Sequence, residues 1–205
     1  VPQTAIACAI IAGGSATRLQ GREKALLSVG GVAIVDRQLG VLTGLFSRIL
    51  VVSPRPESFA TRAVEVIPDR TSGAGPLSGI DAALAALSDD ELGAFCVAGD
   101  LPFLCPDVIG IVLKEAQARF QDGTAQAVAF RKAGFPEPMS ACYARTALPT
   151  VVSRLRAGQF KAADLLVALE TNWIAEAILK QADPGDRHFR NINTAEEWKE
   201  ADTSG

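Results

Sequence analysis

"AIIAGGSATRLQGREKALL", residues 9–27, opens and closes on apolar residues. Between them lie three glycines, a serine, a threonine, two arginines and a lysine. The unbroken apolar run at 6–11 reads as a strand covered on both faces, as in a parallel sheet. The loop after it is too small in bulk and too rich in charge for a simple spacer. Gly13 and Gly14 let the backbone approach a ligand, and successive amides make an anion nest. Arg18 and Lys24 add cations that can meet phosphate. The spacing is neither G-x-x-x-x-G-K-[ST], because Ala25 follows Lys24, nor G-x-G-x-x-G. A surface turn with incidental charge is the competing reading.

The rest of the chain repeats the pattern of apolar run, loop and helix. Strands are expected at 48–53, 63–67, 93–100, 125–131 and 139–144. Helices are expected at 33–45, 76–87, 106–120, 146–155 and 161–169. Ile34, Leu39, Leu42 and Leu45 mark one helix face, and Leu77, Ile80, Leu84 and Leu87 another. In the third helix Ile109, Val112 or Leu113, Ala116 and Phe120 fall together. Alternating strands and helices predict an α/β, Rossmann-like three-layer fold, with a mostly parallel central sheet and helices on both faces. With 205 residues and no linker or repeat, residues 1–205 are expected to form a single domain with its core at about 5–200.

A net charge of −3 carries no basic excess for nucleic acid. No apolar run approaches the roughly 20 residues of a membrane span. Cys8, Cys96, Cys105 and Cys142 form no C-x-x-C pair, and His188 is the one histidine, so a thiolate metal site is not expected. Buried free thiols and no secretory pattern suit a cytoplasmic protein. His188 reads as structural or surface.

In such sheets ligands bind beyond the carboxyl ends of strands. After the third strand, "PDRTSGAGPLSGIDAAL" (68–84) brings Gly73, Gly75 and Gly79 around Pro76 at a helix entry. It fits a backbone cradle for a base or ribose, and equally a plain loop with Pro76 at the first helical position. After the fourth, "GDLPF" (99–103) sets Asp100 where it can hold a hard cation such as Mg²⁺ or serve as a turn aspartate. In "HFRNINTAEEW" (188–198), Asn191 and Asn193 flank Ile192, and Asn193 or Thr194 also suits a helix cap.

Taken in order, "IIAGGSATRLQGREKALLSVGG", "VIPDRTSGAGPLSGIDAAL", "CVAGDLPFL" and "FRNINTAEEW" closely resemble the molybdenum cofactor guanylyltransferase family. That family's opening motif runs L-A-G-G-x-x-x-R-M-G-x-x-K. The resemblance implies transfer of GMP from GTP to the terminal phosphate of molybdopterin or its molybdenum form, with Mg²⁺ (or Mn²⁺) as cofactor. Ile11, Ala12, Gly13 and Gly14 would line the nucleotide with main-chain groups. Arg18 and Lys24 would hold phosphates, and Asp100 would bind the metal. Asp69 would sit near the guanosine, Gly75 to Gly79 would enclose the base, and Asn191 and Asn193 would face the pterin. Glu23 stands where the family commonly has aspartate, and Ser53 where it has a guanosine-contacting asparagine. Ala12-Gly13-Gly14 and the G-P-L-x-G run favour GTP, since CTP-using relatives tend to read A-A-G. The implied partners are GTP, molybdopterin, other cofactor-biosynthesis proteins and apo-molybdoenzymes. A cytidylyltransferase or sugar-phosphate nucleotidyltransferase of the same fold, and a nucleotide-binding carrier without catalysis, are the rival readings.

Overall fold

A computed structural model describes residues 5–13 and 23–192. Strand β1 (Ile6–Ile11) lies at the centre and is buried along its whole length. It pairs in parallel with β4 (Ile49–Val52) and β6 (Gly93–Ala98). Outside β4 lies β5 (Glu65–Ile67). On the other side, β9 (Ser140–Ala144) runs antiparallel between β6 and β7 (Ala127–Lys132). The edge strand β10 (Thr171–Ile174) is parallel to β7. The order is β10-β7-β9-β6-β1-β4-β5, with β8 (Phe135–Pro136) paired to β7. From β1 the chain builds outward through β4 and β5, then returns to place β6 on the other flank of β1. The β1/β6 junction is therefore the topological switch point, where such sheets bind ligands.

Side-chain alternation sorts the strands' residues between two unlike layers. Ile6, Cys8, Ile10, Phe95, Val97, Val128 and Phe130 face α1 (Ile34–Leu42), α3 (Pro106–Gln121) and α6 (Glu176–Ala182). Ala7, Ala9, Ala94, Ala127, Ala129 and Ala141 face α2 (Pro76–Ala85), α4 (Leu148–Arg156) and α5 (Ala162–Ala168). The alanine face lets α2 come close. A Cβ on Gly79 would stand 2.4 Å from Ile11 Cγ2, so this helix–strand contact requires a residue without one.

The expected strands and helices are present, with ends that match or differ by one to a few residues in either direction. In α1 the buried residues are Ile34, Val35, Gln38 and Leu42, while Leu39 is half-buried, as is Leu45 in the turn beyond the helix. Besides β8, further elements emerge. A hairpin of β2 (Ser28–Val29) and β3 (Val32–Ala33) turns through Gly30 and Gly31, both at positive φ. Strand β10 and helix α6 complete the far edge.

Candidate functional site

The carboxyl ends of β1 and β6 open on a cavity of about 520 Å³. Ile11, Ala12, Gly13, Lys24, Gly75, Asp100 and Asn191, all predicted as site residues, line it. Lys24 heads a 3-10 turn, Lys24–Leu26, and its Nζ meets Asp100 Oδ2 at 3.1 Å. Both side chains keep access to solvent, 27% and 20% exposed, so incoming charged groups can reach them.

Main-chain bonds and one buried side chain hold Asp100 in place. Gly99 N–H donates to Ile11 O at 3.0 Å, and Ile192 N–H donates to Asp100 O at 3.2 Å. Gln38, fully buried in α1, donates through Nε2 to Ala98 O at 2.8 Å and Leu101 O at 3.0 Å. One amide thus clasps the turn on both sides of Gly99-Asp100. The sequence reading missed Gln38. A polar residue among the apolar positions of a helix face was the available signal.

Glu23, immediately before Lys24, is buried and accepts from Arg55 Nε at 2.8 Å. Ser53 Oγ reaches the same Glu23 oxygen at 3.5 Å and accepts from Arg55 N–H at 3.0 Å. These contacts tie the segment carrying Lys24 to the loop after β4. Ser53 itself is fully buried and is not part of the cavity wall.

Gly13 needs its missing side chain: a Cβ there would stand 2.7 Å from Asp69 Oδ2. Burial pushes the Asp69 carboxyl up from its ordinary range, and a hydrogen bond from Ser78 opposes that shift. Gly75, at φ 60° and ψ −148°, has open space where a Cβ would go, so its glycine serves the backbone rather than packing. With Pro76 it brings the amino terminus of α2, the positive end of the helix dipole, to the cavity. Gly79 sits one turn further in, against Ile11. Gly14, Arg18 and Asn193 lie outside the described residues.

The far wall is formed by Glu137, Pro138, Met139, Phe189 and Asn191. Behind it His188 is fully buried. Its Nδ1 accepts from Cys105 N–H at 3.0 Å, leaving Nε2–H to donate to Ser140 Oγ at 2.7 Å. Burial lowers its pKa to about 4, so this ring is neutral at pH 7 and structural, as the sequence suggested. Cys8, Cys96 and Cys142 are buried free thiols, pushed well above their ordinary pKa by burial.

Among the described residues no three His, Cys, Asp or Glu side chains form a metal-binding group. A hard cation here would therefore take protein oxygen from Asp100 and its remaining ligands from a phosphate-bearing substrate and water, which is how Mg²⁺ is commonly held. No described helix is long and apolar enough to cross a membrane.

Residues 8–172 match the model of the MobA-like NTP transferase domain. The chain is 32% identical over 185 residues to a probable molybdenum cofactor guanylyltransferase of Pelotomaculum thermopropionicum, covering 90% of this chain and 86% of that one. It is 28% identical to the molybdenum cofactor guanylyltransferase of Syntrophotalea carbinolica, covering 93% and 88%. Its fold is that of molybdopterin-guanine dinucleotide biosynthesis protein A from Archaeoglobus fulgidus, with a TM-score of 0.80 at 24% identity over 97% and 98% of the two chains.

Proposed function

The chain belongs to the MobA-like NTP transferase family, and on that premise we propose that it is a molybdenum cofactor guanylyltransferase. It transfers GMP from GTP to the terminal phosphate of molybdopterin. The observation that carries this reading is the Lys24–Asp100 pair at the β1/β6 switch point, facing a cavity walled by Gly13 and Gly75.

A phosphate monoester is already anionic near neutral pH, so the acceptor needs no strong base. An acceptor oxygen forms a new bond to the α-phosphorus, the α–β bridging P–O bond breaks, and pyrophosphate leaves with the electron pair. The obstacle is the approach of one anion to another. Lys24, with Arg18, neutralises phosphate charge, and the main chain at Ile11, Ala12 and Gly13 crowds the nucleotide. Asp100 would hold a divalent cation, Mg²⁺ in this reading, which would supply neutralisation of charge on phosphate oxygens. The Lys24–Asp100 contact compensates both charges where they face the cavity.

Asp69 and the α2 terminus flank the nucleotide end, and Asn191 the acceptor end. The test is incubation with GTP, CTP or ATP, Mg²⁺ and molybdopterin, with identification of the product. A guanine dinucleotide with stoichiometric pyrophosphate is expected. A cytosine product, or nucleotide binding without pyrophosphate release, would overturn the assignment.

A further inference from the structure

Besides Asp100, one further carboxylate lines the cavity, that of Glu137. Glu137 lies between β8 and β9, and across the sheet the connection carrying it sits beyond β6 from Gly13 and Gly75. Asp100, at the end of β6, stands between them in that order. The backbone around Glu137 is pinned at three points. Its own N–H donates to Phe130 O at 3.1 Å, Tyr143 Oη donates to Pro138 O at 2.9 Å, and Ala98 N–H donates to Met139 O at 3.2 Å. The carboxylate itself has no hydrogen bond or ion pair with a described residue, and the two charges that act on it, Lys132 and Asp186, are paired with each other at 2.8 Å. Partial burial pushes its carboxyl up, with Lys132 opposing that shift and Asp186 adding to it.

We propose that Glu137 recognises the aminopyrimidine edge of the acceptor's pterin ring, its two oxygens accepting from the ring N–H and the exocyclic amino group. This rests on the guanylyltransferase function already proposed. The two donors on that edge are parallel, the arrangement a carboxylate accepts in bidentate fashion. Guanine carries the same edge, but Gly13, Asp69 and Gly75 lie on the other side of Asp100, so the pterin is the partner. The negative charge of Glu137 also disfavours the phosphate end of the acceptor there, leaving that end for Lys24.

The test compares pterin with lumazine, in which an oxygen replaces the 2-amino group, on the wild-type protein and Glu137→Gln. The wild-type protein should bind pterin roughly ten- to hundredfold more tightly than lumazine, the range for hydrogen bonds to a charged group. Glutamine offers one acceptor and one donor, so the variant should lose or reverse that preference. Its KM for molybdopterin should rise by a similar factor, with the KM for GTP and the cation requirement unchanged. Equal pterin preference in both proteins, or none in the wild type, overturns the proposal. So does a raised cation requirement with pterin preference intact, which would make Glu137 a metal-holding group. Because ring binding is read without turnover, a failure of guanylyl transfer and a failure of ring recognition give different results.

Discussion

The two ends of the central sheet carry cavities of nearly equal volume, about 520 Å³ at the carboxyl ends of β1 and β6 and about 530 Å³ at the opposite end. Their chemistry is unlike. At the opposite end the cations are spent on the fold. Arg48 meets Glu65 at 3.1 Å, Glu91 at 2.8 Å and Ala86 O at 3.0 Å. Arg145 donates to the carbonyls of Glu91 and Ser88. At the site end Asp100 keeps one ion pair within reach of solvent, and Glu137 has no side-chain partner among the described residues. Cavity size does not separate binding from architecture here; the degree to which charged groups are already partnered does.

The sharpest way to break this contrast is at the ion pair. Asp100→Ala or Lys24→Ala should lower turnover roughly 10²- to 10³-fold, the scale of losing a preorganised electrostatic group, with the denaturant midpoint little changed. Near-wild-type rates in either folded variant would remove the site assignment.

Acid should act on the site end next. His188 has a folded pKa of about 4, below its unfolded value of 6.5, so the unfolded chain takes up the proton first. Its contribution is complete above about pH 6.5 and is lost as the pH falls toward 4. The full loss is on the order of 3 kcal/mol. Urea melts at pH 7 and pH 5 measure most of it, with His188→Gln as reference. A wild-type protein that loses no more than the variant would contradict the buried neutral ring.

At the other end, Arg48→Met should cost about 2 kcal/mol, because it leaves the buried Glu91 carboxylate short of its cation, while transfer kinetics stay unchanged. A large fall in kcat would show that the two ends are not separable. The smallest expected effect is that of Gln38→Ala. Losing both bonds to the Gly99-Asp100 turn should cost about 1–2 kcal/mol and lower turnover by roughly tenfold. Unaltered kinetics at equal loss of stability would make Gln38 a core residue only.

The parts of the fold legible in the sequence are those whose signal is local. Strand β1 announces itself by six consecutive buried residues, α2 by Pro76 and its apolar spacing, and the ends of β1 and β6 by their glycines. Strand β10 gives no such signal, because its four residues are mostly half-buried and its pairing with β7 is long-range. The hairpin at Gly30-Gly31 has a local signal, a two-residue turn, but its strands are only two residues each and too short to show a period. Glu137 escapes a sequence reading because it sits in no motif, and Gln38 shows only as a polar residue on an apolar helix face; each matters through what folding sets beside it.

By itself the sequence determined the layers, the loops that can crowd an anion, and the candidate ions, since these depend on side-chain size, periodicity and backbone freedom over a few residues. Which ions meet was decided only by tertiary structure. Lys24 and Asp100 are 76 positions apart and stand at 3.1 Å because the chain returns across β1 to lay β6 on its other flank. That return also sets Glu137 opposite the nucleotide end. Coulomb and hydrogen-bond energies depend on separation in space, and no spacing along the chain encodes it.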